Sequence, residues 1–540
     1  MSTNSPPVAQ SSLAALLAQS IDDYLAEHPA AAVLESGQLL FDMRTARYSI
    51  TESHGRCLLQ LWSDERNLVR TILEIQRRAH SLRLITRRMG APRPQTLEIV
   101  ASSDRRTPTA RDSARRNYQR LLERVLTRSF PGAKAGSFRS AMDLEHSFGP
   151  AYVRGCLLRG TAAEAIIGVG EAESSATVDG VLTLGILWLE HCRRHGDTRR
   201  HFGGLKVIVP TGAWRPTAER MAWLNHAAAN FQLFTLDERA EELVEIDFRD
   251  TGNLECRLTH AFASGAALER CRTGLDRILS LLPPSAKDRV EICPRSASEV
   301  ALLLYGLEFA RVRHGSAAHS FAPQQEVTFG AGANETPLTA ENEAAAREMF
   351  VRLFLSRHPD GLHTDPLFRL QPERWLESRL RAGIADLMPS LRGDRIYSQV
   401  PALSSGERGL LDLLTLDRNN RLVVLELKAD EDLQLPLQAL DYWIRVRALN
   451  ADRAPASAGG RPLSAFERQG YFVSPAGNIE ISPLPPRLLL AAPALRIHPA
   501  NEPVLRYFSH QVEWELLALS EHWRRELKIV FRKRSTDPQT

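Results

Sequence analysis

The sequence predicts an α/β protein built on several cores, and three observations carry that expectation. The first is length. A chain of 540 residues exceeds what one hydrophobic core organises and suggests three or four domains. The second is order. Apolar strand-like runs alternate with longer amphipathic stretches, as strand, helix, strand, helix, strand, over residues 165–236 and again over 422–518. The third is an ordinary composition: 43% hydrophobic residues, a net charge of +4 and a mean hydropathy of −0.25. That balance excludes fibrous and wholly disordered classes, and it permits a polyanionic partner without requiring one.

The elements follow in chain order. Residues 1–10, polar and with Pro6 and Pro7, read as disordered. Ser12 to Glu27 reads as an amphipathic helix. Strands are expected at Gln38 to Phe41, Tyr48 to Thr51, Cys57 to Trp62, Leu82 to Ile85 and Thr96 to Ala101, with a helix over Glu65 to His80. Arg111 to Phe130 reads as a helix closed by Pro131-Gly132, with Tyr118, Leu121, Leu122, Val125 and Leu126 on one stripe. Residues 101–139 hold ten Lys or Arg against three Asp or Glu. Such a basic face is either solvated or set against a phosphate backbone. Residues 1–135 are thus expected to form a basic α+β N-terminal domain, with DNA contact as one of these two readings.

In the middle of the chain, Ala165 to Glu173 reads as a strand and Thr177 to Arg194 as a helix. Leu205 to Pro210 is a further strand, Ala218 to Ala229 a helix and Phe231 to Leu236 a strand, within a domain spanning 136–250. Residues 251–340 connect, with helices expected at Ala261 to Leu282 and Ser296 to Arg313, a strand at Gln325 to Phe329, and a Gly/Ala/Asn-rich break at Gly330 to Thr339. Six scattered cysteines show no C-x-x-C pair, which argues against zinc and redox motifs and suits a cytoplasmic protein. The N-terminus lacks the basic and apolar regions of a signal peptide, and no run reaches the ~18–20 apolar residues that span a bilayer.

The chemistry concentrates in residues 412–428, DLLTLDRNNRLVVLELK. Two strands joined by the turn Asp417-Arg418-Asn419-Asn420 would bring Asp412, Glu426 and Lys428 together. Glu426 and Lys428 share one face of their strand because side chains alternate. An E-x-K pair alone decorates many surface hairpins. Here the charges end an almost wholly apolar strand, as if a buried strand delivered them to a cleft. Two carboxylates beside an ammonium suit a divalent cation next to a positioned amine, the equipment of phosphodiester cleavage. A helix over Asp432 to Leu449 then carries Gln438 and Tyr442 four residues apart on one face. Asp417 competes with Asp412 as the carboxylate, although Asp417 also suits a turn. Glu373 competes in the same way with Glu377.

The pattern D-x13-E-x-K followed by Q-x-x-x-Y resembles the PD-(D/E)XK nuclease superfamily, and its helix motif is similar to the RecB-like branch. The tail strengthens the resemblance. Leu488 to Pro493 (LLLAAP), the helix with Leu505-Arg506-Tyr507 and a following strand resemble the end of the catalytic domain of the NucS endonuclease family, and Trp375 to Leu380 resembles its first helix. The likeness covers about residues 340–535. It implies a restriction-endonuclease-like mixed-sheet core over 341–540 and a Mg²⁺- or Mn²⁺-dependent DNA endonuclease in repair or defence. It implies Asp412, Glu426, the Leu427 carbonyl and Glu377 as metal ligands, Lys428 as the group that orients or deprotonates water, and Gln438 and Tyr442 as supporting residues. RNA remains an alternative substrate, and a homodimer would allow both strands to be cut. A non-catalytic nucleic-acid-binding or scaffold protein and a restriction-type nuclease are the competing readings.

Placing Glu171 on Glu426 puts Trp188 on Trp443, which suggests that the middle domain repeats the same scaffold. In that register Leu157 stands at the place of Asp412 and Glu173 at that of Lys428, and no Gln or Tyr matches Gln438 and Tyr442. Residues 136–250 are therefore expected to be a degenerate copy.

Overall fold

The computed structural model describes residues 13–537, apart from 36–37, 54–55, 64–66, 79–80, 88–93, 102–107, 144, 253, 255, 262–263, 317–322, 333–335, 405–406, 456–460 and 475–476. The expected disordered start, residues 1–10, lies outside the described residues. The chain divides into two compact units. One comprises Met1–Val181, Ile208–Ala213 and Phe234–Val244, the other Leu182–Val207, Trp214–Leu233 and Glu245–Thr540.

The first unit begins with helix Leu13–Glu27, which buries Leu17, Ile21 and Tyr24. Their spacing of four and three residues sets them on one face, against a seven-stranded antiparallel sheet. One expectation is corrected here: the segment Glu65 to His80 contains strand Asn67–Arg78 rather than a helix. Leu68, Arg70 and Ile72 alternate inward, and the β-branched Val69, Thr71, Ile72 and Ile75 favour the extended chain. The buried Arg70 donates to both carboxylate oxygens of Glu35 at 2.9 and 3.1 Å, which offsets the cost of burying its charge.

Helix Pro108–Ser129 packs Tyr118, Leu122, Val125 and Leu126 on Val153, Leu157, Ile166, Ile208 and Phe234 of a second sheet. Six strands lie in the order Lys134–Arg139, Tyr152–Arg159, Ala162–Val169, His201–Pro210, Asn230–Asp237, Glu242–Ile246. The expected strand at Ala165 to Glu173 ends at Val169, so Glu171 and Glu173 fall in the turn that follows. The expected helix over Thr177 to Arg194 is broken at Gly180 into Ser175–Asp179 and Val181–His195.

The second unit contains a mixed seven-stranded sheet. Its order is Cys256–Leu258, Tyr397–Ser404, Glu407–Leu416, Leu422–Leu427, Arg487–Pro493, Trp514–Leu519, Ile529–Arg534. Strands Leu422–Leu427, Arg487–Pro493 and Trp514–Leu519 run parallel to one another, and the remaining pairs are antiparallel. Helix Pro372–Leu387 packs Trp375, Leu376, Leu380 and Ile384 against Val423, Leu425 and Leu427, and helix Leu435–Ala451 packs on the same central strands.

A second correction concerns the segment before helix Pro372–Leu387. Residues 296–313, expected as a helix, form strands Glu299–Leu304 and Leu307–Ser316 of a five-stranded antiparallel sheet. The two-residue turn Tyr305-Gly306 takes positive φ at both positions, 46° and 73°, the geometry that joins twisted antiparallel strands most directly. Tyr305 stacks on Trp375 at 5.0 Å, which ties this sheet to the helix that carries Glu377.

The six-stranded sheet and the mixed sheet share an order of elements. Each begins with a long helix, Pro108–Ser129 or Pro372–Leu387, and continues with three consecutive strands. Each then has a helical segment, a strand, a short helix (Arg215–Met221 or Asn501–Arg506) and two final strands. The spatial order of those six strands is also the same. No helix among the described residues is long and apolar enough to cross a membrane.

Candidate active site

The hairpin Glu407–Leu416 to Leu422–Leu427 builds the site. At its tip the Asp417 carboxylate accepts hydrogen bonds from Asn419 N at 2.9 Å and Arg421 N at 3.0 Å, and Asn420 takes φ 58°. Asp417 is therefore the turn residue. The register, Leu413 opposite Leu425 and Leu414 opposite Val424, carries on to set Asp412 beside Glu426. Leu427 N donates to Asp412 Oδ2 at 3.1 Å. The pleat turns the Leu427 side chain into the core while Glu426 and Lys428 point to the other side. The Leu427 carbonyl thus leaves the strand between two charged residues.

The other carboxylates arrive from helix Pro372–Leu387. Glu373 and Glu377 lie four residues apart, on one side of that helix. Glu373 approaches Lys428, and Glu377 is joined to Asp412 through Gln399. Lys428 Nζ lies 3.5 Å from Glu426 Oε1, 3.8 Å from Asp432 Oδ2 and 4.0 Å from Glu373 Oε1. Glu377 Oε2 accepts from Arg374 at 2.9 Å and from Gln399 Nε2 at 2.9 Å. Gln399 also donates to Asp412 Oδ1 at 3.3 Å, so one amide holds two carboxylates at a fixed separation. Its backbone is left-handed, φ 53°, which turns the side chain toward the site from strand Tyr397–Ser404.

Gln399, Arg374 and Asp432 escape sequence reasoning. Each becomes part of the site only through packing between elements, and none carries a local pattern that marks it. Gln438 and Tyr442 lie on helix Leu435–Ala451, whose Leu437, Leu440 and Trp443 are buried. Trp443 Nε1 anchors the helix on the Pro486 carbonyl at 2.7 Å. The expected Arg408 contact falls on a side chain outside the described residues.

The electrostatics are those of crowded acids. Glu426 is 3% exposed, and its Oε2 has no hydrogen-bond partner. Burial first, and then the charge of Asp412, push its carboxyl well above the usual range despite Lys428. Burial likewise raises Glu377 and Glu373, with Asp412 adding to both. For Lys428, burial works downward, but Glu426, Glu373, Asp432 and Asp412 outweigh it and hold the ammonium above its ordinary value. Tyr442 is pushed up by burial and by the charges of Glu426 and Asp412. The buried Oε1 of Gln438 also lacks a partner.

A buried carboxylate oxygen without a donor, beside two further carboxylates, fits a divalent cation better than it fits any side chain present. Sequence-predicted Asp412, Glu426, Lys428 and Glu377 are brought together, with Tyr442 within electrostatic reach. Next to them lies a cavity of about 230 Å³, bordered by Glu377 and Gln399 and lined by Arg295, Arg374 and Arg381. In comparisons with known proteins, no family model and no curated protein sequence matches the chain.

Proposed function

We propose that the protein is a Mg²⁺- or Mn²⁺-dependent DNA endonuclease of the PD-(D/E)XK type, working in repair or defence. The observation that carries this reading is the buried Glu426, with its unpartnered Oε2, held between Asp412 and Lys428. Asp412, Glu426 and the Leu427 carbonyl would hold the cation, with Glu377 as the further carboxylate. When bound, such an ion neutralises charge on a phosphoryl oxygen and acidifies water. The chain's own residues do the rest. Lys428, fixed among three carboxylates, presents an ammonium that orients the attacking water. Gln399 keeps Asp412 and Glu377 at their separation. Gln438 and Tyr442 stand ready to hydrogen-bond a phosphate. The adjoining cavity sets Arg295, Arg374 and Arg381 near the site, each beside a glutamate, Glu308, Glu377 or Glu291, that a phosphate would have to displace. The middle sheet is then a degenerate copy of the same scaffold.

A cleavage panel tests the proposal: single-stranded, duplex, flap and mismatched DNA, and RNA, each with Mg²⁺ or Mn²⁺, beside Asp412→Ala. The expected result is metal-dependent cutting of at least one DNA form that Asp412→Ala abolishes. Cutting that survives the substitution would remove the site assignment. Tight DNA binding with no cutting would favour the non-catalytic reading.

A further inference from the structure

We infer that this chain works as a monomer with one cutting centre and therefore nicks a single strand of duplex DNA. The inference rests on the nuclease reading above. It begins from a contact inside the second unit, between residues 190–225 and the helices of the C-terminal sheet.

That contact is reciprocal. Asn225 N donates to the Tyr507 carbonyl at 2.7 Å, and Ser509 N donates to the Trp223 carbonyl at 2.8 Å, on either side of the antiparallel bridge between Leu224 and Phe508. Both segments directly follow the short helix at the same place in the shared element order, Arg215–Met221 in one and Asn501–Arg506 in the other. The aromatic residue of each segment sits on the long helix of the opposite one. Trp223 meets Trp443 edge-on at 4.9 Å, with the Arg447 guanidinium 4.3 Å over its ring. Tyr507 donates to Glu190 and accepts from Arg193 at 2.6 Å. In such a contact, residue i of one copy meets j of the other while j meets i. Like segments thus meet like segments within the second unit, as they do in an isologous pair.

The face is closed. Leu224, Phe508 and Trp443 are at most 4% exposed. Arg220, 3% exposed, bonds both oxygens of Asp441 at 2.7 and 2.6 Å. A second chain has no access to this surface, because the same chain already fills it.

The other sheet with this element order lacks the chemistry. Strands Tyr152–Arg159 and Ala162–Val169 correspond to the catalytic hairpin, and they contain no Asp and no Lys. With the strand starts after the turn matched, Ile166 and Gly168 stand where Glu426 and Lys428 stand, and Gly155 lies opposite Ile166. In the alternative register, Leu157 and Glu173 occupy the places of Asp412 and Lys428, and Glu173 is bound by Arg115 at 2.6 and 3.1 Å. Neither register rebuilds two acids beside an amine. Two antiparallel strands present their phosphodiesters in opposite orientations, so one centre in one placement hydrolyses one of them.

The test joins two measurements on the full chain. Light scattering across the assay concentrations should give the 60.3 kDa monomer mass. Supercoiled plasmid with Mn²⁺ should become open circle, with linear DNA absent until the supercoiled form is spent, and Lys428→Ala should form neither. Linear DNA as a first product, or a dimer mass, overturns the inference. Cutting of single strands with duplex left intact also overturns it while sparing the nuclease reading. Absence of cutting on every substrate overturns that reading itself.

Discussion

Glu426 pays for function with stability. Its carboxylate is buried beside Asp412, with one oxygen unpartnered, and its proton affinity is raised by burial and by that neighbour. A carboxyl with a higher pKa folded than unfolded binds more protons in the folded state. It therefore supports the fold at low pH and weakens it as pH rises from the ordinary glutamate range through the raised value. Glu377 and Glu373 act in the same direction. Metal-free protein should melt lower at pH 8 than at pH 5.5, and Mn²⁺ should restore stability most at pH 8, because ligands must shed protons to bind it. Glu426→Gln, which cannot ionise, should raise metal-free stability at pH 8 while losing the Mn²⁺ response. Denaturant unfolding with EDTA or Mn²⁺ at both pH values checks this. An unchanged pH trend in the variant would move the strain elsewhere. Asp412, Glu426 and Lys428 were legible in the sequence because 17 consecutive residues of one hairpin contain them. Gln399 was not, because its role depends on a left-handed backbone in a neighbouring strand and on a helix that approaches from elsewhere.

At the scale of elements, helix Pro372–Leu387 must be held still for Glu373 and Glu377 to meet the hairpin. The Tyr305-Gly306 turn does part of that. A Cβ at Gly306, whose φ is 73°, would lie 1.9 Å from the Arg374 carbonyl oxygen. Gly306→Ala should cost about 2–4 kcal/mol, combining left-handed strain with overpacking. It should also lower cleavage, although residue 306 touches no catalytic group. Equilibrium unfolding gives the first quantity, and wild-type stability in the variant would refute the account of the turn. This region also shows where sequence reading failed. Residues 299–304 and 307–316 together are long enough for a helix, and only Tyr-Gly between them marks the reversal. At Asn67–Arg78 a β-bulge between Ile72 and Glu74 breaks the alternation, so the strand mimics helical spacing. The strands on either side of the Asp417 turn carry no such irregularity in their pairing and form as expected.

At the scale of the molecule, the repeated element order was legible from strand and helix alternation alone, although the middle sheet has no counterpart of Asp412, Glu426 and Lys428 together. Its reciprocal contact was not legible, since it joins positions nearly 300 residues apart. The Arg220–Asp441 pair locks that contact. Asp441→Ala removes the carboxylate that the buried Arg220 bonds through two nitrogens and should cost about 3–5 kcal/mol. A double-mutant cycle with Arg220→Met measures the coupling, and additivity would deny it. The central claim, that the second unit hydrolyses phosphodiesters at Asp412, Glu426 and Lys428, is tested most directly by single-turnover cleavage. Wild type and Lys428→Ala would be compared at saturating Mn²⁺ on the DNA that the panel identifies. We expect the variant to bind Mn²⁺ and to cut slower by about 10²–10⁴-fold, the range for losing a positioned proton-handling group. Equal rates in the two proteins would contradict the assignment.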